Sequence, residues 1–466
     1  MNKNSFIKLF ILFLISTFLL ALPMESQAQS KKDRQKAKVL ATQGDEFYRQ
    51  KNYRAAIDKY AQALASQPDF PFARFSKGYA HYNLKEYDQA ANDFGIALDQ
   101  GYEPLEIYAV RWQTNVLRKK PDLALDDVQK AIKLAPDNAY FYIAQGQIYD
   151  EQKNYKESLA AFQKALSIED KTPDVHFYIA KSYNALGDYS NQEASARKAL
   201  AKGTTQAAWS WFYIADSLQK RKKQDEAVEA YERVLTADKT FYSVYLTLSD
   251  IYRNQGKYDK SINLVKAGIL QFPNDSDLYT SLSWYYSLND KTAYAIEAAK
   301  KAIELSPNEY MAYTNLCRAY NESAQYSAAI RTCNKALELQ PGDGETNFYL
   351  GRAYDFQNQT DAAAKHYKEA VKGLVKFTNE NPDYSDGFYL LGNAFYADRQ
   401  KDKAITAYKK ALELSPRYAK ARYNLGYMYV LGGDLTAARE QQTALKNLDP
   451  DLAAKLLEAM DKKNNR

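Results

Sequence analysis

A 34-residue pattern recurs along most of this chain of 466 residues. Its clearest copy, residues 385–418, contains two amphipathic stretches joined by a short polar turn, and Pro416 follows the second stretch. One such helical pair cannot bury its apolar face alone, so neighbouring copies must stack into a continuous core. Twelve copies can be placed: 37–70, 71–104, 105–138, 139–172, 173–206, 208–241, 242–275, 276–309, 310–343, 344–384, 385–418 and 419–452.

Small side chains recur at fixed positions of the copies. Position 8 is Gly, Ala, Ser or Cys in eleven copies, positions 20 and 27 are Ala in nine copies each, and position 32 is Pro in seven. Small residues let two antiparallel helices approach closely, and Pro stops the second helix. The pattern therefore predicts twelve helical hairpins and an all-α fold.

This combination of period, small positions and terminal Pro closely resembles the tetratricopeptide repeat family, over about nine-tenths of the chain. The resemblance implies a right-handed superhelical α-solenoid of about twelve helix-turn-helix repeats. It also implies that positions 2, 5, 6, 9 and 12 of each first helix line a concave groove. The expected function is that of a scaffold or adaptor that binds a peptide segment or a partner protein in this groove.

The first 28 residues have the layout of a secretory signal peptide. Lys3 and Lys8 precede an apolar run, 9–22, and Ser26 and Ala28 stand at −3 and −1 of a cut before Gln29. The alternative is an uncleaved anchor, but the run is short of the ~20 residues that a spanning helix needs. We expect export to the periplasm or the cell exterior, with any membrane contact made through a partner. No cysteine lies near the cut, which excludes a lipid anchor there.

Departures from the pattern divide the remaining chain. Trp112 replaces the small residue at position 8 of the third copy, so we expect that hairpin to splay or shift. The fifth copy has Gln192 at position 20, and the spare residue at 207 makes 201–208 the expected bend. Seven extra residues in the tenth copy predict a second helix that protrudes by about two turns. The predicted organisation is a signal peptide (1–28), a basic lead-in (29–36), repeats 1–5 (37–206), repeats 6–12 (207–452) and a C-terminal capping helix (453–466).

Nothing in the sequence indicates catalysis. His81, His176 and His366 lie in different copies, and no Cys, His and carboxylate cluster has metal-ligand spacing. Phosphate-binding glycine loops and nucleophile elbows are also missing from the sequence. The net charge of +6 over this length is too small to indicate a nucleic-acid partner. We therefore expect a non-enzyme without cofactor or metal.

Aromatic side chains are concentrated at the groove positions, in a chain with 40 tyrosines. Exposed amphipathic rings are typical of binding surfaces, although each ring could instead pack against the neighbouring repeat. Because rings also stack on sugars, a carbohydrate or cell-wall binding module is an alternative, and a non-catalytic arm of a transferase complex is another. The expected contact residues are Phe72, Phe75, Tyr79, Tyr82, Trp209, Phe212 and Tyr213.

A row of hydrogen-bond donors is predicted in the C-terminal third of the groove. Arg and Asn side chains there suit carboxylates and peptide units. Some members of this family bind acidic peptide ends through a clamp of Lys and Asn side chains. This chain matches the clamp only in part, because position 5 of the eleventh copy is Tyr389 instead of Lys. The alternative is that Arg352 pairs with Asp355, with Asp386 neutralising other donors. The predicted row comprises Asn315, Arg318, Arg352, Asn393, Lys420 and Asn424, with Tyr389 and Tyr423 covering the bound segment.

The two cysteines, Cys317 and Cys333, stand at positions 8 and 24 of the ninth copy. In an antiparallel hairpin these positions face each other, at a Cα separation that a disulfide can bridge. An oxidising compartment would allow the bond to form, and the alternative is a pair of small buried thiols. The sequence therefore predicts one disulfide.

Overall fold

A computed structural model describes residues 31–464 of the protein, and the predicted signal peptide lies outside them. The described residues form 25 α-helices and no strand. The helices are α1 Lys31–Arg49, α2 Tyr53–Ser66, α3 Pro71–Asn83, α4 Tyr87–Asp99, α5 Pro104–Leu117, α6 Pro121–Leu134, α7 Ala139–Glu151, α8 Tyr155–Ile168, α9 Pro173–Leu186, α10 Tyr189–Ala201, α11 Ala207–Lys220, α12 Gln224–Ala237, α13 Tyr242–Asn254, α14 Tyr258–Gln271, α15 Ser276–Leu288, α16 Thr292–Leu305, α17 Tyr310–Glu322, α18 Tyr326–Leu339, α19 Gly344–Phe356, α20 Thr360–Glu380, α21 Ser385–Ala397, α22 Lys401–Leu414, α23 Ala419–Gly432, α24 Leu435–Leu445 and α25 Pro450–Asn464.

Each hairpin turn is built in the same way. The residue at position 15 of every copy has a positive φ, which reverses the chain between the two helices, and it is Gly in only three copies. Elsewhere the strained position is occupied by residues such as Lys51, Lys119 and Ala324, with φ of 59°, 58° and 57°. The regular turn sets the two helices of each copy antiparallel.

The two helices of a hairpin meet where position 8 faces position 24. A Cβ on Gly392 would lie 2.5 Å from the ring of Tyr408, and one on Gly44 would lie 2.6 Å from the ring of Tyr60. The aromatic ring thus occupies the space that the glycine leaves open. This contact repeats between Gly78 and Phe94, Gly146 and Phe162, and Gly351 and Tyr367.

The third copy reverses this arrangement. Trp112 at position 8 is buried, and the residue at position 24 is Val128 instead of an aromatic residue. Both side chains belong to one buried cluster between α5 and α6. The large residue of this contact thus stands at position 8, opposite the smaller Val128, and the expectation that the hairpin splays or shifts stays a prediction.

The chain divides into two compact units, residues up to Leu186 and residues from Gly187. Within each unit, successive helices pack on one another, which confirms the predicted solenoid of helix-turn-helix repeats. The division lies one helix before the expected bend at 201–208. Gln192, the atypical residue at position 20, is buried in the second unit and donates from Nε2 to the carbonyl of Tyr213 at 2.8 Å.

The long helix of the tenth copy does not protrude. At 21 residues, α20 has the predicted extra turns, but Leu374 and Thr378 on those turns are buried. Two glycines allow this close approach, since a Cβ on Gly373 would lie 2.5 Å from the carbonyl oxygen of Gly342. A Cβ on Gly344 would lie 2.4 Å from the backbone nitrogen of Leu374. The extra turns therefore pack against the start of α19.

No helix within residues 31–464 combines the length and the apolar character needed to cross a membrane.

Candidate partner-binding surfaces

The first helices of copies 2 and 4 carry half-buried aromatic rings, which we name the aromatic face. Its members are Phe72, Tyr79, Tyr82 and Tyr140. The hydroxyl of Tyr82 donates to Oε1 of Gln113 at 3.4 Å, and Nε2 of Gln113 donates to the hydroxyl of Tyr140 at 2.6 Å. These bonds join α3, α5 and α7 side by side. The aromatic face thus extends from α3 to α7 through Gln113 of α5.

Phe75 does not belong to this face. Its side chain is 2% exposed, and its ring stacks on Tyr102 at 4.4 Å and meets Phe94 at 5.6 Å. The prediction that Phe75 is a contact residue is wrong, because its side chain belongs to a buried cluster with Phe94 of its own hairpin and with Ile107 and Val110 of α5. The neighbouring Tyr79 is half-buried, and burial raises the pKa of its hydroxyl.

A second aromatic cluster lies at the start of α11 in unit two. The indole of Trp209 is 46% exposed, and its ring centroid lies 4.7 Å from that of Phe241. Phe212 stacks on Phe241 at 5.3 Å and is half-buried. Tyr213 is buried, so its prediction as a contact residue is wrong. The exposed part of this cluster is the Trp209 ring.

The interior of unit two is closed by contacts between residues far apart in sequence. Arg253, at the end of α13, forms a buried ion pair with Asp386 at the start of α21, 133 residues later. Oγ of Ser415 donates to the carbonyl of Asn254 at 3.0 Å, and Nζ of Lys420 contacts Asp290 at 3.0 Å. We call these three contacts the closure. They join the C-terminal ends of α13 and α15 to the N-terminal ends of α21 and α23 and to the C-terminal end of α22.

The ion pair at the centre of the closure is enclosed by rings. The guanidinium carbon of Arg253 lies 4.6 Å from the ring centroid of Trp284 and 5.5 Å from that of Tyr384. The hydroxyl of Tyr418 donates to Oδ1 of Asp386 at 2.7 Å. Burial raises the pKa of Tyr384 to about 12, although the nearby Arg253 partly opposes the shift. Arg253 and Asp386 are only 6% and 5% exposed.

Most of the predicted donors are already engaged within the chain. Arg318 is buried in an ion pair with Glu345, and its guanidinium lies over the ring of Tyr349 at 5.3 Å. Nδ2 of Asn315 donates to the carbonyl of Thr280 at 2.9 Å. These two residues are therefore not an open row of donors, and the expectation that they face a ligand is wrong.

The remaining donors differ in availability. Nδ2 of Asn424 donates to Oδ1 of Asn393 at 2.8 Å, and Oδ1 of Asn393 also accepts from the Tyr408 hydroxyl at 2.7 Å. Lys420 belongs to the closure, and Asp290 raises its pKa against the opposing effect of burial. Arg352 lies over the ring of Phe356 at 5.6 Å.

The predicted covering tyrosines pack on other rings. The centroid of Tyr389 lies 4.9 Å from that of Tyr418, and Tyr423 stacks on Tyr427 at 6.3 Å. Asp355 accepts a hydrogen bond from the Tyr367 hydroxyl at 3.4 Å instead of pairing with Arg352.

A disulfide joins Cys317 and Cys333 across the hairpin of α17 and α18. Their Cα atoms are 5.3 Å apart, and both side chains are fully buried. The bond occupies the same 8-to-24 contact that a glycine and a ring fill in other copies. It thus ties together the hairpin that carries Arg318.

Sequence reasoning missed the residues at the centre of the closure. Arg253 and Trp284 occupy groove positions 12 and 9 of their copies. Their charge and aromatic character were visible, but Asp386, the partner of Arg253, lies in copy 11, and Tyr384, which meets Trp284, ends copy 10. The signal that could have found them is the insertion in copy 10, which changes the path of the chain before Tyr384. Within the described part of the chain, no group of three or more His, Cys, Asp or Glu side chains could hold a metal ion.

Comparisons with known proteins agree with the observed repeats. Sequence profiles described as "Tetratricopeptide repeat" match residues 42–101, 118–176 and 389–453. Two further profiles with the same description match residues 218–284 and 312–343. Together these matches cover more than half of the chain.

Similar proteins come from several organisms. RNA polymerase II-associated protein 3 of Mus musculus is 26% identical over 215 residues, which is 45% of this chain and 28% of that protein. UDP-N-acetylglucosamine--peptide N-acetylglucosaminyltransferase of Giardia intestinalis is 35% identical over 82 residues, 18% of this chain and 6% of the enzyme. The chain thus spans well under half the length of these two relatives.

Among solved structures, yeast Tom70 aligns with 17% identity and a TM-score of 0.38 over 93% of this chain and 96% of Tom70.

Proposed function

The chain belongs to the tetratricopeptide repeat family, and from that premise we propose that it is an exported scaffold or adaptor. Its aromatic face binds a partner protein or an extended peptide segment. The observation that carries this proposal is the set of half-buried rings on α3 and α7, which Gln113 of α5 links by hydrogen bonds. Rings of this kind supply large contact area with few rotatable bonds and keep a polar edge for hydrogen bonding.

The aromatic face is better suited to a partner than the predicted donor row of unit two. Tyr82, Gln113 and Tyr140 form a hydrogen-bonded chain that fixes the rings without burying them fully. Asn393 and Asn424, by contrast, are bonded to each other, and Arg318 is buried. A partner would have to break those contacts before binding there.

Export is part of the proposal. Lys3, Lys8 and the apolar run 9–22 have the features of a signal peptide, and a disulfide between Cys317 and Cys333 is compatible with an oxidising compartment. Mass spectrometry of the mature protein tests this, since cleavage before Gln29 is expected. A full-length chain that stays in the cytosol would contradict it. In this proposal, the protein contacts a membrane only through its partner.

The binding role is tested by pull-down from envelope extract with the full mature chain. We expect the double variant Tyr79→Ala with Tyr82→Ala to retain at least tenfold less partner than wild type. The matched control is Tyr294→Ala, which removes a 58% exposed ring elsewhere and leaves the aromatic face intact. Equal retention by wild type and the double variant, with circular dichroism unchanged, would overturn the proposal.

A second candidate function is carbohydrate binding, favoured by the exposed indole of Trp209. Its ring is held by Phe241 and Phe212, so one face is kept available for stacking on a sugar. Binding of cell-wall fragments that is lost in Trp209→Ala would support this function. Retention of partner protein by the same variant would separate the two functions.

Catalysis is not proposed. The similarity to the Giardia transferase covers 6% of that enzyme, and the described residues hold no candidate metal cluster. A non-catalytic arm beside a transferase remains an alternative, and a transferase subunit among the captured partners would support it.

A further inference from the structure

A short segment at the start of α21, residues 384–386, places the side chains of Tyr384 and Asp386 against Trp284 and Arg253 in the interior of unit two. We propose that this segment is an internal pseudo-ligand, and that its seat binds a partner peptide bearing an aromatic residue followed, two residues later, by a carboxylate. The proposal concerns a different surface from the aromatic face. It goes beyond the proposed function because it defines the chemistry of a partner and a competing internal contact.

The seat consists of the side chains that this segment contacts, Arg253, Trp284 and Tyr418, and it accommodates one carboxylate and one ring. The carboxylate of Asp386 accepts from the Arg253 guanidinium and from the Tyr418 hydroxyl, the latter at 2.7 Å. The Tyr384 ring centroid lies 6.3 Å from that of Trp284, with Arg253 beside both rings. A charge-assisted pair of this kind, away from water, discriminates strongly in favour of a carboxylate. The ring adjacent to Trp284 adds apolar area and a second point of recognition.

The segment arrives at this seat because of an irregularity in the repeats. The seven extra residues of copy 10 lengthen α20 to Glu380, and the chain then turns through Pro382 into α21. The ring of Phe377 on the added turns meets that of Tyr384 at 5.7 Å. The added turns thus pack against the segment through the contact between Phe377 and Tyr384. An uninterrupted 34-residue copy would lack them.

The closure depends on a few side-chain contacts. Apart from the ion pair and its rings, it consists of Ser415 on the carbonyl of Asn254 and of Lys420 on Asp290 and the carbonyl of Leu288. Both carbonyls belong to helix C-terminal ends, where donors are favoured. Lys420 and Asp290 are partly exposed, so water can replace their contact at little cost.

The geometry favours a peptide over a free anion. Each cation of the closure already faces a carboxylate, Arg253 with Asp386 and Lys420 with Asp290. An inorganic anion would therefore find no unpaired cation to bind, and it would leave the space beside Trp284 unfilled. The cavity that remains beside Arg253 and Asp386 measures about 10 Å³, room for one water at most. A ligand must therefore displace the segment and reproduce both of its side chains.

The test uses the full mature chain and an end-capped synthetic peptide copied from residues 381–388, Asn-Pro-Asp-Tyr-Ser-Asp-Gly-Phe. Because the internal segment competes, apparent affinity is reduced by the fraction of molecules that are open. We expect the variant Tyr384→Ala with Asp386→Ala to bind this peptide at least tenfold more tightly than wild type in calorimetric titration. A control peptide with Ala for the tyrosine and Asn for the second aspartate should bind at least tenfold more weakly.

A second variant guards against misfolding of the first. Ser415→Ala with Lys420→Ala weakens the closure but leaves Arg253, Trp284 and Asp386 in place, and we expect severalfold tighter peptide binding than in wild type. Lys410→Ala, which removes an exposed pair with Glu413 on α22, should bind like wild type. If neither folded double variant binds the peptide more tightly than wild type, or if the control peptide binds equally well, the segment is a purely structural closure and the proposal fails. Inorganic phosphate that competes as well as the peptide would also overturn it. None of these outcomes depends on capture of a partner by the aromatic face.

Discussion

The guanidinium of Arg253 and the carboxylate of Asp386 form a buried ion pair across 133 residues of sequence. Removal of one partner leaves the other charge without compensation, so we expect Asp386→Ala to lower the free energy of unfolding by about 3–5 kcal/mol. The double variant Arg253→Met with Asp386→Leu should lose less, because it leaves no buried charge. Thermal unfolding followed by circular dichroism measures both. A single variant as stable as Lys410→Ala, whose exposed pair contributes less than about 1 kcal/mol, would contradict the observed burial.

Phe75 and Trp209 should respond differently to truncation. Phe75 is core, so Phe75→Ala should cost about 3–5 kcal/mol of stability through the lost contacts and the cavity. Trp209→Ala removes a half-exposed ring and should cost clearly less. The melting temperatures of the two variants give the comparison. A smaller loss of stability for Phe75→Ala than for Trp209→Ala would contradict the buried position of Phe75 and the exposed position of Trp209.

The contact between positions 8 and 24 can be tested with a single methyl group. A Cβ on Gly392 would lie 2.5 Å from the ring of Tyr408, so Gly392→Ala should destabilise the protein by about 1–3 kcal/mol. Gly95 lies on a half-buried part of α4, where the nearest atom to an added Cβ, on the Arg111 side chain, is 4.0 Å away. Gly95→Ala should therefore stabilise by about 0.5–1 kcal/mol, since glycine is unfavourable inside a helix. Chemical unfolding of both variants provides the measurement. Changes of the same sign in the two free energies of unfolding would contradict the close contact at Gly392.

The disulfide should stabilise the ninth hairpin. Cys317 and Cys333 are separated by 16 residues, and closure of a loop of that size contributes about 3 kcal/mol. We expect the variant Cys317→Ala with Cys333→Ala to melt at a lower temperature than the oxidised protein. Mass spectrometry without reductant checks the bond directly. Two free thiols in the exported protein would contradict it.

Alkaline pH should destabilise unit two. Burial raises the pKa of Tyr384 to about 12 from its ordinary value of 10, so the folded state retains this proton over a range in which the unfolded state has lost it. The resulting stability is fully present below pH 10 and is lost as the pH rises toward 12. Tyr384→Phe removes the ionisable group, and its stability should fall less over that range. Melting temperatures between pH 9 and pH 12 test this, and parallel curves for the two proteins would contradict it.

The local part of the structure was predictable from the sequence because its contacts are short-range. Gly392 and Tyr408 are 16 residues apart, and the turn between them reverses the chain in the same way in every copy. Cys317 and Cys333 occupy the same pair of positions. Trp112 was harder to interpret, because its burial depends on Val128, which is smaller than the ring at the same position of several other copies. The two positions must therefore be considered together.

Surface and core could not be separated by helical position alone. Phe75 and Tyr79 lie on one stripe of α3, but Phe75 is buried by Tyr102 and Phe94, while Tyr79 is half-buried. The packing of α4 and α5 around Phe75 decides between them. The extra turns of α20 were likewise predicted in length but not in position, because their burial depends on Gly344 and Gly373 in the packed structure.

The sequence by itself determined the number of helical hairpins, their turns and their internal contacts, since each of these depends on residues fewer than 34 positions apart. Only the tertiary structure decided that Arg253 meets Asp386 and that Lys420 meets Asp290. Those distances depend on the angles between all the intervening hairpins and on the inserted turns of α20. Small differences in each packing angle add up over four copies, so the periodic pattern cannot specify which groove residues are paired and which are available to a partner.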